Sequence, residues 1–254
     1  MGAWIGQSLR MIEVRWIGPI ATIALARGSA RNAVPIAGWE HLAAAATGLD
    51  AARAVILRSD MPGIFSAGAD IGEFPQLQTD PDARTRFRLA MRAGIDALAA
   101  LPMPVLVAID GGCFGAAVAL VLAADVRLAG DGAQFAVPPA RLGLGYPRED
   151  VVRLAAQVGQ GRAAELLFTG EAIDADAAAR IGLVERRAPD AGAAALDLAQ
   201  RIAENAPAAV RQLKRALRNP ADSHLDAAFE AAFGGAELAE GLAAFHARRR
   251  PVFA

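Results

Sequence analysis

Two short stretches of this chain combine small residues with apolar flanks in a way that can present backbone N–H groups to a ligand. The first, Ile64-Phe65-Ser66-Ala67-Gly68-Ala69-Asp70-Ile71, follows an apolar run and leads towards a helix. Small side chains let a ligand approach the main chain closely, and a helix start leaves its first N–H groups without partners. An ordinary strand-to-helix loop has the same pattern. The second, at residues 104–117, runs from an apolar strand through Gly111-Gly112-Cys113 into a small-residue helix start at Gly115-Ala116-Ala117. A helix start beneath a carbonyl supplies a donor and a favourable dipole, which is what a developing oxyanion needs. Tight helix–sheet packing calls for the same small residues.

A third stretch, residues 137–147, carries Tyr146, the only tyrosine of the chain. A buried tyrosine with a hydrogen-bonded hydroxyl packs as readily as it donates a proton. Among the acids, Asp70 is expected to cap the helix that follows it, Glu149 and Asp150 suit a helix N-terminus, and Glu73 is the fallback base near the first stretch. His41, His224 and His246 have no metal-ligand spacing, and Cys113 reads as a small buried residue, so no metal is implied. The chain has neither a G-x-S-x-G elbow nor a dinucleotide-binding glycine fingerprint, which argues against serine hydrolysis and nicotinamide or flavin chemistry.

The elements that must position these stretches alternate. Apolar runs at 11–16 and 20–26, broken by Gly18-Pro19, predict a hairpin. A helix at 35–47, a buried strand at 54–58 and an amphipathic helix at 81–101 follow, the last with Arg84, Arg86, Arg88 and Arg92 on its wet side. Strands at 105–109, 125–129 and 134–137 enclose a helix at 115–123 packed on all sides, which is α/β sheet architecture. Beyond about residue 148 the pattern turns helical, with one short strand at 183–187, and the Ala-rich helices from Ala191 onward carry more apolar surface than one small core needs.

With 254 residues, 54% hydrophobic and 21% charged, the chain can bury a sizeable core. The 26 Lys and Arg against 27 Asp and Glu give no general attraction to nucleic acid or to an anionic membrane. Charges interrupt even the richest apolar stretch, 105–128, so no membrane-spanning segment is expected. One cysteine and a start unlike a signal peptide predict a cytoplasmic protein.

Taken together, the stretches resemble the crotonase (enoyl-CoA hydratase/isomerase) superfamily. Residues 65–71 are similar to its F-[SC]-A-G-x-D-[IL] loop and residues 108–120 to its A-x-N-G-x-A-x-G-G-G-x-x-L segment. Further matches run along nearly the whole chain: L-x-R-x-x-x-x-N-A-[LV] at 25–34, L-L-[FL]-T-G at 166–170, A-x-x-x-G-L-V ending at Val184, and F-x-x-[KR]-R-x-P-x-F at 245–253. The resemblance implies an α/β crotonase-like spiral of β-β-α units over residues 1–190, holding the coenzyme A thioester site. A C-terminal helical oligomerisation region over 191–254 and assembly as a homo-oligomer, a trimer or a dimer of trimers, complete it.

The same resemblance implies a backbone oxyanion hole made by the N–H groups of Ala69 and Ala116, with Tyr146 facing the acyl end. Ala67, Gly68, Asp70 and Ile71 would line the coenzyme A path, and Arg27, Arg31 and the Arg248-Arg249-Arg250 cluster would meet its phosphates. No separate cofactor is expected, because coenzyme A arrives with the substrate. The two glutamates of the hydratases fall at Ala119 and Pro139, neither of which exchanges a proton. Residues 139–146 are similar to the P-A-x-L-G-x-x-Y stretch of the superfamily's decarboxylase branch. The expected function is therefore acyl-CoA processing through a stabilised thioester enolate, with a malonyl-type decarboxylase or an acyl-CoA-binding protein as alternatives.

Overall fold

In the computed structural model, which describes residues 11–253, Gly18 takes φ +56° and turns β1 (Ile12–Ile17) back on β2 (Ile20–Leu25), as Gly18-Pro19 predicts. The two strands pair antiparallel along their whole length. Helix α1 (Ile36–Ala46) then leads to β3 (Ala54–Ser59), β4 (Ile64–Ser66), α2 (Phe74–Thr79) and α3 (Pro81–Ala99). A second turn of the chain holds β5 (Val105–Ile109), β6 (Gly112–Phe114) and α4 (Ala116–Val121). A third holds β7 (Val126–Ala129), β8 (Gln134–Ala136) and α5 (Arg148–Val158). After these come α6 (Gln160–Thr169), β9 (Ile173–Asp174), α7 (Ala175–Arg180) and β10 (Arg186–Arg187).

The first strand of each turn enters a six-stranded sheet of order β1-β2-β3-β5-β7-β10, and the second enters a four-stranded sheet of order β4-β6-β8-β9. This is the expected spiral of β-β-α units. β5 is buried at every residue, as a continuous Val/Ile/Leu run in a parallel sheet must be, and α4 is buried at every residue as well. α3 begins at Asp80, whose carboxylate accepts from the N–H groups of Asp82 and Ala83, with Pro81 in the first turn. It buries Ala83, Ala90, Met91, Gly94, Ile95 and Leu98, spaced as one helical face.

Three expectations change. The first chemistry-bearing stretch and the glycine turn of the second each contain a three-residue strand, β4 and β6, too short for any periodicity to show. At 183–187 only Arg186 and Arg187 pair with β7, while Leu183 and Val184 are core residues. Arg92 is not on the wet side of α3: it turns inward to the fully buried Asp150 at 2.7 Å. An unpaired carboxylate there would be costly, so the pair locks α3 to the first turn of α5.

The C-terminal helices are α8 (Ala191–Ala203), α9 (Pro207–Arg218), α10 (Leu225–Ala232) and α11 (Ala236–His246). α8 covers the outer face of the large sheet, where Ala191, Ala195, Leu198 and Ala199 pack on Ile20, Ile56, Leu106 and Leu128. Surplus apolar surface lies on the later helices, with Phe229, Phe233, Leu242 and Phe245 exposed. Among the described residues no helix is long and apolar enough to cross a membrane.

Candidate active site

The segment after β4 is held by buried polar groups. Ser66 Oγ donates to the Asn32 carbonyl at 2.6 Å and accepts the Gly68 N–H at 3.1 Å. Asn32 Nδ2 donates to the Phe65 carbonyl at 3.1 Å and to Ser59 Oγ at 2.8 Å. The Val34 N–H then donates to the Gly68 carbonyl at 2.7 Å, and the Asp70 N–H to the Val34 carbonyl at 3.1 Å, an isolated parallel bridge centred on Ala69. Arg27 braces it by reaching both Asp70 Oδ2, at 2.6 Å, and the Ala33 carbonyl, at 2.8 Å. Asp70 Oδ1 caps the short 3₁₀ turn Ile71–Glu73 through the Gly72 N–H. Partial burial raises the Asp70 pKa, but the Gly72 N–H and the Arg27 guanidinium more than offset it and leave the carboxyl below its ordinary value.

The segment after β6 is held differently. Gly115 lies at φ +55°, ψ −124°, a conformation open to glycine, and its N–H donates to the Ala136 carbonyl at 2.9 Å. Its carbonyl accepts the Val118 N–H at 2.9 Å and the Tyr146 hydroxyl at 3.0 Å. The Tyr146 oxygen in turn accepts the Ala119 N–H at 3.1 Å. The hydroxyl thus stands between the Gly115 carbonyl and the Ala119 N–H, the two groups that an ordinary helix would join directly. Burial, followed by the charge of nearby Asp150, pushes the Tyr146 pKa well above that of a free phenol, so the hydroxyl keeps its proton.

These two segments touch. A Cβ on Gly68, which sits at φ +89°, would lie 2.4 Å from the Phe114 carbonyl oxygen and 2.9 Å from the Ala116 nitrogen, so only glycine permits the approach. Ala69 and Ala116 line one cavity of about 300 Å³, and among the described residues neither N–H donates a hydrogen bond within the protein. In a trans peptide the N–H points opposite the carbonyl. The Gly68 and Gly115 carbonyls are gripped from behind, so both N–H groups are free on the other side. The remaining wall is almost wholly apolar: Ile71, Phe74, Phe87, Met91, Pro138, Pro139, Leu142, Leu144 and Pro147.

The structure brings Ala67, Ala69, Ile71, Ala116 and Tyr146 together around this cavity, with Gly68 and Asp70 directly behind it. Arg27 is committed to Asp70 and the Ala33 carbonyl, which makes it a brace. Arg31 is exposed, at φ 52°, and its carbonyl accepts the Ala67 N–H. Arg249 closes on Glu240 and Arg250 reaches Glu204. Glu73 is not on the cavity wall; its carboxylate caps α1 by accepting the Ile36 N–H at 2.9 Å. Pro139 lines the cavity, Ala119 is buried behind it, and Cys113 is fully buried, its thiol pKa pushed far up by burial. The sequence did not point to Val34, whose contribution is a backbone bond, or to the buried Ser66–Asn32 pair, although a serine inside an apolar run was a visible signal.

The family model for enoyl-CoA hydratase/isomerase matches residues 18–254. The chain is 32% identical over 253 residues to echA6 of Mycobacterium tuberculosis, named a probable enoyl-CoA hydratase, covering 96% of this chain and 99% of that one. It is 31% identical over 214 residues to human mitochondrial methylglutaconyl-CoA hydratase, covering 79% and 62%. The crystal structure of an enoyl-CoA hydratase from Bacillus anthracis superposes with a TM-score of 0.89 at 30% identity, covering 96% and 98%. The chain therefore belongs to the enoyl-CoA hydratase/isomerase family.

Proposed function

We propose that the protein processes an acyl-CoA thioester whose carbonyl oxygen lies between the N–H groups of Ala69 and Ala116. One observation carries this reading: two unpartnered N–H groups on one cavity wall, each belonging to a peptide whose carbonyl is anchored on the far side. Such donors stabilise the enolate charge that develops when a thioester reacts at its α or β carbon, and each is worth about 2.7–4 kcal/mol. Exposed Arg31, next to Ala67, is the candidate for a coenzyme A phosphate, while Gly68, Asp70 and Arg27 shape the path from behind.

The acyl end of the cavity calls for an uncharged group. Phe74, Phe87, Met91, Leu142 and Leu144 offer hydrophobic contact, and no Lys, Arg or His lines the wall among the described residues. Isolated burial of a carboxylate there is unfavourable, which argues against malonyl-type substrates. No carboxylate lines it either, and paired acids of the hydratase kind supply about 10²–10⁴-fold each. Water addition and double-bond isomerisation, both of which move protons through such a group, are thus disfavoured by that route.

That same lack of a proton-exchanging wall favours a second reading, an acyl-CoA-binding protein with little turnover. A panel of acyl-CoA thioesters separates the two. Turnover of apolar acyl groups supports the enzyme, binding without turnover supports the second reading, and decarboxylation of malonyl-CoA would overturn the preference for uncharged acyl groups. We also propose a homo-oligomer, because Phe229, Phe233, Phe253 and Leu238 line one apolar groove between the last helices. A stable monomer by light scattering at micromolar concentration would refute it.

A further inference from the structure

We infer that Tyr146 is a positioning residue that aims and strengthens the Ala116 N–H donor, and is not the proton donor its place on the acyl wall calls to mind. The inference rests on the proposed thioester site. The Tyr146 hydroxyl has one proton, and that proton is directed to the Gly115 carbonyl at 3.0 Å, while the oxygen accepts the Ala119 N–H at 3.1 Å. A proton donor would have to break the first bond for every turnover. Gly115 carbonyl and Ala116 N–H belong to one rigid peptide plane, so the grip on the oxygen fixes the direction of the hydrogen.

The need for such a grip is visible in the backbone. Gly115 has the free torsional range of glycine, at φ +55° and ψ −124°, and α4 begins only with the next residue. Without the hydroxyl, the Gly115 carbonyl retains only the Val118 N–H, and the Ala119 N–H, buried in a helix whose residues are all buried, is left without its partner. Hydrogen bonding at the carbonyl also polarises the peptide, which makes its N–H a stronger donor. Tyr146 lies two residues before α5, whose first turn the buried Arg92–Asp150 pair clamps to α3. The hydroxyl keeps its proton throughout the neutral range because of its burial.

A chromophoric α,β-unsaturated acyl-CoA, such as 2,4-hexadienoyl-CoA, reports this directly, since hydrogen bonding to its thioester carbonyl moves the absorption band to longer wavelength in the ground state. Wild-type protein should show the shift on binding. Tyr146→Phe should bind the probe with a Kd within about threefold, lose most of the shift, and turn over active substrates roughly tenfold or more slowly, as expected for a weakened oxyanion donor. A Tyr146→Phe protein with the full shift overturns the inference, and so does slower turnover with the full shift, which is the signature of a lost proton donor. Absence of any shift in wild type would instead bring down the thioester reading itself. Because Tyr146 is the only tyrosine, growth on 3-fluorotyrosine replaces this one hydroxyl with a more acidic one and spares the fold. The band should then move further to the red, and an unchanged band overturns the inference even where the Phe variant does not fold.

Discussion

The Ala69 and Ala116 peptides face the same cavity with the same free hydrogen, yet they are secured by different kinds of chemistry. Behind Ala69 the Gly68 carbonyl is held by the main chain of Val34, in a bridge that no substitution at Val34 other than proline deletes. Behind Ala116 the Gly115 carbonyl takes the Val118 N–H and, in addition, the hydroxyl of Tyr146, a side chain contributed from 31 residues away. One donor is thus fixed by loop pairing alone, and the other by a helix-start bond plus a phenol from the segment just before α5. Backbone pairing costs no side-chain entropy and tolerates sequence drift; a side-chain grip can be adjusted by one mutation, in strength and in direction.

The largest effect should come from removing either donor outright. Ala116→Pro and Ala69→Pro each delete one N–H, and turnover should fall by about 10²–10³-fold in each, whereas Ala→Gly at either position keeps the donor and most of the rate. Ala116 is the first residue of α4, where proline is accepted, so its variant should remain folded. Circular dichroism checks that before kcat is measured. If both proline variants turn over at the wild-type rate, neither peptide is an oxyanion donor.

Glycine substitutions sharpen the contrast at the level of stability. Gly68→Ala sets a methyl 2.4 Å from the Phe114 carbonyl and at φ +89°, so backbone must move, and a loss of more than about 2 kcal/mol is expected in urea unfolding. Gly115→Ala meets nothing within 4 Å and bears only the torsional cost of φ +55°, ψ −124°, about 1–3 kcal/mol, so its loss should be the smaller of the two. Equal losses at the two sites would mean that the contact between the limbs is not as tight as the geometry indicates.

Much of this arrangement was legible in the sequence, for identifiable reasons. Long apolar runs with clear periods predict the strands of the large sheet and α3, and the motifs around Ala69 and Ala116 point to two peptides that the fold places on one cavity wall. What escaped was set by contacts distant in sequence. β4 and β6 are three residues each and exist because they pair with each other and with β8. Arg92 looks solvated in a helical projection and is drawn inward by an acid 58 residues away. Tyr146 was legible as a site residue but its partner was not: a tyrosine facing a cavity and a tyrosine gripping a carbonyl have the same sequence.

A smaller effect is expected at Arg27, the brace of the Ala69 limb. The Arg27–Asp70 pair is partly exposed, so Arg27→Met should cost no more than about 1 kcal/mol at neutral pH. Asp70 has a lowered pKa in the folded chain, hence its share of stability is present above the ordinary aspartate value and is lost as the pH falls through the lowered one. Wild type should therefore lose stability more steeply than Arg27→Met between pH 4 and the acid limit, as chemical unfolding at a series of pH values would show.

The smallest effect appears at the other end of the pH scale and belongs to the Ala116 limb alone. Burial and the Asp150 charge raise the Tyr146 pKa, so above a pH of about 10 the unfolded chain releases a phenol proton that the folded chain keeps. The stability that this group supplies is complete below that pH and declines as the pH rises, by at most about 1.4 kcal/mol per unit. Other groups titrate in the same range, so the diagnostic quantity is the difference between wild type and Tyr146→Phe. Wild type should be the more stable at pH 8, where the hydroxyl satisfies both the Gly115 carbonyl and the Ala119 N–H, and the gap should close as the pH passes 10 and beyond. A gap that stays constant would mean that the hydroxyl titrates alike in both states, contrary to a phenol sealed between two backbone groups.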